Sequence, residues 1–140
     1  MYAAGCTFCR IAQRELPAAI VFEDDQALAF LDSKPLFHGH VLLIPKDHVA
    51  TLAELEPSLL ANLFATVQKL SIAVQAAMEA EGTFVAMNNV VSQSVPHFHI
   101  HVVPRRKGDG LRGFFWPRTS YANAEEVKQV RDKISAALMG

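Results

Sequence analysis

Three histidines alternate with apolar residues in a short run bounded by prolines, and this pattern constrains the fold more than any other. The run reads Pro96-His97-Phe98-His99-Ile100-His101-Val102-Val103-Pro104. Successive side chains of a β-strand point to opposite faces, so the histidines would share one face and the apolar residues the other. Proline is tolerated at the ends of a strand. The sequence therefore predicts a strand over His97–Pro104, with its apolar face buried and its imidazoles facing a pocket.

The rest of the chain predicts an α+β fold. Short apolar runs between turn residues favour strands, and apolar residues at helical spacing favour helices. The predicted strands are Ala18–Glu23, Ala27–Asp32, His40–Ile44, Thr83–Met87 and His97–Pro104. The predicted helices are residues 7–13, a long helix from Pro57 that stops near Gly82, and Ala124–Leu138, with a short helical turn between Thr51 and Glu54. Short connections favour an antiparallel sheet with helices on one side, and the length of 140 residues favours one domain, 1–140.

Charge and hydropathy narrow the classes of protein. The net charge of −1 argues against bulk electrostatic binding of nucleic acid. We find no apolar run near the ~18 residues of a membrane span and no signal-peptide pattern in residues 1–20, so we expect a cytoplasmic protein with no membrane partner. A basic cluster is either a solvated loop or a rim that attracts phosphate; it comprises Arg105, Arg106, Lys107, Arg112 and Arg118.

The histidine run allows three interpretations. The imidazoles could line a polar sheet face without a specific role. They could bind a metal, although the outer two lie ~13 Å apart along a strand that rises ~3.3 Å per residue, which makes three-fold ligation awkward. In the third interpretation His99 is a nucleophile assisted by its neighbours, because a neutral imidazole is available at pH 7 and attacks through one nitrogen.

The third interpretation coincides with a resemblance. His-φ-His-φ-His-φ-φ, where φ is apolar, resembles the signature of the histidine triad (HIT) family. Further segments follow that family's order and approximate spacing over roughly residues 6–105: Phe30–Asp32, His40–His48, Asn88 and Gln93–Val95. The resemblance implies a HIT-like fold, with a five-stranded antiparallel sheet, one long helix and one or two shorter helices. It also implies a homodimer.

The resemblance implies a hydrolase or nucleotidyl transferase that acts at the α-phosphate of purine nucleotide conjugates. His99 would attack phosphorus to form a nucleotidyl-histidine, while its other ring nitrogen donates to the carbonyl of His97. His101 would donate to non-bridging phosphate oxygens, and Ser94 would act near the leaving group. The implied substrates are adenosine phosphoramidates, adenylated lysine or aminoacyl adenylates, and dinucleoside polyphosphates.

The same resemblance assigns residues to a nucleotide pocket. Asp32 would bind the ribose hydroxyls, since a carboxylate accepts two such hydrogen bonds. Asn88 and Gln93 match polar contacts, with Asn89 as an alternative to Asn88. The apolar positions that would line the purine slot are Phe8, Ile11, Phe30 and Leu42, which could equally be ordinary core.

Two cysteines add a metal hypothesis. Cys6 and Cys9, with His48 and His97, suit a tetrahedral structural zinc. The same ligand order occurs in the zinc-bearing, bacterial-type branch of the family, where the ring of the first triad histidine would ligate metal. Free thiols and a redox Cys-x-x-Cys pair are the alternatives. The redox pair normally opens a helix after a strand, and no strand is predicted before Cys6.

Other functions remain to be distinguished. The uridylyltransferase branch has longer chains and proline between the triad histidines, so it fits poorly. A non-catalytic nucleotide sensor or protein-binding adaptor would keep the pocket without needing His99, and a zinc-storage module would bind more than one zinc. The segment Gly108–Arg118 is either a loop that closes over the core or a dimer partner, or a lid facing the substrate.

Overall fold

The computed structural model describes residues 1–112 and 117–140, and it divides into two compact units, 1–109 and 110–140. The first unit contains α1 (Thr7–Ala12), β1 (Ile20–Glu23), β2 (Ala27–Leu31), β3 (Val41–Pro45), a 3₁₀ turn (Leu52–Glu54), α2 (Pro57–Ala77), β4 (Gly82–Ala86) and β5 (Ile100–Arg105). The second contains α3 (Ala124–Met139), where the side chain of Asn123 caps the helix by accepting from the Glu126 N–H. The predicted single domain stays a prediction.

The five strands form one sheet in the order β1-β2-β3-β5-β4. Every neighbouring pair is antiparallel. In the centre, Leu42 of β3 lies opposite His101 of β5. The predicted α+β fold with a five-stranded antiparallel sheet is confirmed.

The prediction that the helices lie on one side of the sheet is wrong for α1 and α2. Alternate residues of β2 and β3 enter two separate apolar clusters. Ala29 and Leu43 pack in the cluster that contains α2, whereas Phe30 and Leu42 pack in the cluster that contains α1. Both strands are almost continuously apolar, which is the pattern of strands covered on both faces.

The strand that carries the histidines begins later than the sequence predicted. Regular pairing starts at Ile100 rather than at His97. The Phe98 N–H instead donates to the carbonyl of Val49, 2.6 Å away, in the loop after β3. The alternation nevertheless persists, because Phe98, Ile100 and Val102 are fully buried in the α2 cluster. The histidines therefore lie on the face that carries α1.

Several other boundaries differ from the predicted ones. β5 extends through Pro104, which pairs with Thr83 of β4. The pairing of β3 with β5 stops at Val41 and Val102, so Pro104 needs no N–H on that side. Among the other shifts, β1 begins at Ile20, α2 ends at Ala77 and β4 spans Gly82–Ala86.

Helix α2 has the length and apolar composition of a membrane span, contrary to the expectation from the sequence that no segment does. It is long and apolar enough to cross a membrane by length and composition alone, with a mean hydropathy of 1.2. A helix packed in a protein core passes the same test; 28% of the window with this hydropathy is buried, and the buried apolar side chains of α2 lie in the cluster against the sheet. Those side chains are Leu63, Val67, Leu70 and Val74.

Gly39 permits the tight approach of the loop before β3 to α2 and β5. Its φ is +94°, and an added Cβ would lie 2.6 Å from Cγ of Met78 and 3.4 Å from Cγ of Pro104. We expect Gly39→Ala to lower the free energy of unfolding by roughly 2 to 3 kcal/mol, combining left-handed strain with overpacking. Gly108→Ala is the matched control, because Gly108 has φ +75° but open space around it. Equal losses in urea unfolding would contradict the packing argument.

Candidate active site and adjoining metal-ligand cluster

The position of His99 is set by a backbone carbonyl. Its Nδ1 lies 2.8 Å from the carbonyl oxygen of His97. Since a carbonyl only accepts, Nδ1 carries the proton and Nε2 carries the lone pair. The ring is 3% exposed and meets Phe8 of α1 edge-on, with centroids 5.1 Å apart. In its neutral form the ring is thereby held as the tautomer that a nucleophile acting through Nε2 requires.

A cavity of about 540 Å³ opens beside His99. One part of its lining is apolar and includes Phe8, Ile11, Phe30 and Leu42. The polar part consists of Thr7, Asp32, Ser33, Ser94, His99 and His101. The structure therefore brings together the four residues predicted for the purine slot, the predicted ribose ligand and three of the predicted catalytic residues. Among the described residues, this lining contains no lysine or arginine.

Asn88 and Gln93 are not among the residues that line this cavity. Gln93 uses both ends of its amide within the protein, because Nε2 donates to Ala50 O at 2.7 Å and Oε1 accepts from the Val90 N–H at 3.0 Å. Asn88 donates to the carbonyl of Ser92. In this conformation, both side chains shape the loop before the triad.

The same loop has two residues in the left-handed region, Val90 with φ +68° and Ser92 with φ +62°. That conformation is costly for a β-branched residue. Asn89, the alternative to Asn88, accepts from the Leu52 N–H at 2.8 Å. Two side chains, Asn89 and Gln93, thus tie the loop to residues 50–52.

His101 and an unassigned histidine form a pair at the cavity. Nδ1 of His101 lies 2.9 Å from Nε2 of His40, a residue to which the sequence analysis gave no role. Burial, with the neighbouring rings of His99 and His40 adding to it, lowers the pKa of His101 to about 4. Burial also lowers the pKa of His40, against the opposing charge of Asp32. Both rings are therefore neutral at pH 7.

His97 turns its ring away from the cavity to a cluster of sulfur and nitrogen atoms. Its Nδ1 lies 3.3 Å from Sγ of Cys6 and 3.6 Å from Sγ of Cys9, and Nδ1 of His48 lies 3.4 Å from Sγ of Cys9. Tetrahedral zinc with bonds of ~2.3 Å to sulfur and ~2.0 Å to nitrogen separates its ligands by about 3.3 to 3.8 Å. The four residues thus have the spacing and the donor set that zinc requires.

A second contact prepares His97 for this role. Its Nε2–H donates to the carbonyl oxygen of Pro45 at 2.8 Å, which leaves the lone pair of Nδ1 facing the two cysteines. Ligating histidines commonly donate their other N–H to such a carbonyl. Burial lowers the pKa of His97 to about 4, so the ring is neutral and able to ligate. Burial raises the pKa of the Cys9 thiol, so metal binding there would release a proton.

Part of the basic cluster is engaged within the protein. Arg105 forms two hydrogen bonds with Asp109, at 2.6 and 3.0 Å, and this pairing raises its pKa. Arg106 donates to the carbonyl of Met78. These contacts favour the structural interpretation for both residues over a phosphate-attracting rim. Residues 113–116 of the Gly108–Arg118 segment lie outside the described residues, so both the loop and the lid interpretations stay predictions.

Comparison with known proteins places these features in a family. The HIT domain profile matches residues 13–108. An adenosine 5′-monophosphoramidase of Schizosaccharomyces pombe is 35% identical over 137 residues, covering 96% of this chain and 98% of its own length. An adenylylsulfatase of Arabidopsis thaliana is 40% identical over 108 residues, covering 76% of this chain and 55% of its own length. This chain therefore spans about half of that relative.

A solved structure bears on the metal-ligand cluster. A zinc-bound histidine triad family protein from Mycobacterium smegmatis superposes with a TM-score of 0.73 at 33% identity, covering 95% of this chain and 97% of that one. The family match covers well over half of the chain and includes all three histidines of the run. The chain belongs to the histidine triad family of HIT-domain proteins.

Proposed function

We propose that this chain hydrolyses purine nucleotide conjugates at the α-phosphate through a covalent nucleotidyl-His99 intermediate. The observation that carries the proposal is the bond from Nδ1–H of His99 to the carbonyl of His97. It leaves Nε2 as the nucleophilic atom on a ring that lines a cavity of nucleotide size. The relatives named as a phosphoramidase and an adenylylsulfatase both act on adenylyl compounds by name, which supports the same class of substrate.

In the first step, Nε2 of His99 attacks phosphorus as the bond to the leaving group breaks. The leaving group takes the electron pair and one proton from solvent. The ring becomes an imidazolium, while its Nδ1–H still donates to the carbonyl of His97. That hydrogen bond strengthens as the ring gains charge, so it stabilises the transition state more than the ground state. Water then attacks phosphorus and releases one proton to solvent, and the electron pair of the breaking P–N bond returns to Nε2, which gives nucleoside monophosphate and neutral His99.

The apolar part of the cavity would bind the base, and the polar part would bind the ribose and the phosphate. The purine base would pack among Phe8, Ile11 and Phe30, while Asp32 would accept from the ribose hydroxyls. His101 would donate to the non-bridging oxygens, and the Ser94 hydroxyl would lie near the leaving group.

Charge supports a further choice among the substrates. The described lining offers histidines and hydroxyls but no lysine or arginine to a phosphate group. A single α-phosphate with one negative charge suits such neutral donors better than a polyphosphate chain does. We therefore propose that nucleoside phosphoramidates and acyl or sulfo adenylates are better substrates than dinucleoside polyphosphates.

Replacement of the nucleophile tests the mechanism. We expect His99→Ala to lower kcat for adenosine phosphoramidate by about 10³-fold or more, because the covalent step is lost. Binding of AMP, measured by calorimetry, should change only a few-fold. Wild-type protein quenched during turnover should carry an adenylyl group on His99 by mass spectrometry, and kcat/KM should be higher for the phosphoramidate than for diadenosine polyphosphates.

His38→Ala is the matched control, since this histidine is exposed and does not line the cavity. A His99→Ala variant with wild-type turnover would overturn the mechanism. AMP binding with no turnover of any adenylyl substrate by the wild type would favour the non-catalytic sensor.

We propose that Cys6, Cys9, His48 and His97 hold one structural zinc ion. Zinc would neutralise the two thiolates and join α1 to the segment that carries the triad. The chemistry it supplies is structural, because the four residues present complete a tetrahedral set with no position left for substrate.

Removal of a ligand tests this proposal. We expect purified wild-type protein to contain about one zinc per chain, and Cys9→Ser or His48→Gln to contain far less. Both variants should also unfold at a lower temperature than the wild type. His38→Gln should retain the metal, since it removes a histidine outside the cluster. Equal zinc contents in all four proteins would contradict the assignment.

We propose that the chain forms a homodimer through the β4 edge of the sheet. β4 has one unpaired side in the described sheet, and Val85 on it is 38% exposed. On α2, Phe64 and Ile72 are 42% and 67% exposed. Exposed apolar side chains and an open strand edge are both typical of an interface.

A charge placed on this surface tests the dimer. We expect Ile72→Glu to shift the sedimentation coefficient from that of a dimer toward that of a monomer, because the carboxylate would be desolvated at the interface. Val21→Glu places the same charge on an exposed residue of β1, at the opposite edge, and should leave the dimer intact. A monomeric wild type, or equal behaviour of the two variants, would refute this surface.

A further inference from the structure

A second group of polar atoms lies beside the nucleophile. One carboxylate oxygen of Asp32 and one ring nitrogen each of His40 and His101 lie within 4.8 Å of one another. This spacing is compatible with a metal site. It is equally compatible with a chain of hydrogen bonds, and the two alternatives make different demands on the protons of the imidazoles.

The proton of His40 is located by a backbone group. The N–H of Leu36 donates to Nδ1 of His40 at 3.1 Å. A backbone N–H can only donate, so Nδ1 must carry a lone pair. A neutral imidazole has one ring proton, and in His40 it must therefore be on Nε2.

That proton in turn locates the proton of His101. Nε2 of His40 is 2.9 Å from Nδ1 of His101 but 3.7 Å from the carboxylate of Asp32. At these distances the Nε2–H donates to His101 rather than to Asp32. Nδ1 of His101 is then the acceptor, and the proton of its neutral ring is on Nε2.

The same bonds argue against a metal ion at this cluster. A metal on Nε2 of His40 would need the lone pair of that nitrogen while Nδ1 still used its own lone pair to accept from Leu36. Only an imidazolate has two such lone pairs, and a neutral histidine ligand has one. The metal-site interpretation therefore requires the Leu36 bond to break.

We propose that the Leu36 N–H and His40 act as a tautomer relay that holds His101 as an Nε2–H donor toward the α-phosphate. His40 is a positioning residue in this relay, and the catalytic part of the inference rests on the proposed function. A backbone N–H begins the relay to His101, whereas a backbone carbonyl fixes His99. Nε2 of His99 therefore carries a lone pair, whereas Nε2 of His101 carries a proton.

The charge state of the pair agrees with this arrangement. A proton added to Nδ1 of either ring would face another N–H, from Leu36 or from His40. The titratable groups facing His101 are His99, His40 and Asp32, and of these only the carboxylate favours protonation. The depressed pKa values of His40 and His101 follow from burial first and fit a neutral relay.

Nitrogen-15 NMR tests the relay without any substrate. In wild-type protein, long-range ¹H–¹⁵N correlations should show unprotonated Nδ1 and protonated Nε2 in both His40 and His101. His40→Phe removes the donor, and we expect His101 to become a mixture of tautomers with a raised pKa. His40→Gln can still donate through its amide near the position of Nε2, so it should restore the wild-type pattern. His38→Phe is the exposed control and should change neither ring.

Turnover of adenosine phosphoramidate gives a second measurement. We expect His40→Phe to lower kcat about ten- to hundredfold with little change in KM, and His40→Gln to recover most of the loss.

Protonated Nδ1 on His101 in the wild type, or an unchanged His101 tautomer in folded His40→Phe, would overturn the relay. So would a second equivalent of Co²⁺ bound by the wild type but not by His40→Gln. If His40→Phe does not fold, the wild-type spectrum and His40→Gln decide the question. If the NMR spectra are as predicted but the wild type turns over no adenylyl substrate, the proposed function is rejected while the relay is supported.

Discussion

One residue, His97, connects the two parts of the site. Its carbonyl holds Nδ1–H of His99, and its ring is fixed between the carbonyl of Pro45 and the two cysteines. A rotation of the His97 backbone would therefore disturb the metal-ligand cluster and the orientation of His99 together. The order of α1, which carries Cys9, is in this way coupled to the orientation of His99, although α1 is only six residues long.

Much of this fold could be predicted because its strongest signals are local. The alternation around His99 assigns each side chain to a face, and the apolar spacing in α2 identifies the long helix. The start of β5 could not be predicted in the same way, because it depends on a bond between Phe98 and Val49, far apart in the sequence. The placement of α1 and α2 on opposite faces was missed, although the unbroken apolar runs of β2 and β3 carried that signal.

In the candidate site, too, roles that follow from residue type could be predicted, whereas roles that depend on contacts between distant segments could not. The set of Cys6, Cys9, His48 and His97 could be predicted because Cys-x-x-Cys with two distant histidines suits zinc and the family resemblance supplied the same ligand order. His40 gave no comparable signal, since its role depends on a loop that brings the Leu36 N–H to its ring. Likewise, the resemblance predicts Gln93 in the pocket, but its amide bonds one backbone group of its own loop and one of the loop after β3, which only the folded chain reveals.

The larger part of the apolar core and the candidate site lie on opposite faces of the sheet. The larger apolar cluster lies under α2, whereas the histidines, the cavity and the cysteines share the face of α1. Apolar side chains under α2 can thus be exchanged for others of similar volume on the face of the sheet opposite the cavity. Substitutions that change thermal stability can therefore accumulate on the α2 face, and substitutions that change the cavity can accumulate on the α1 face. Both faces share the backbone of β5.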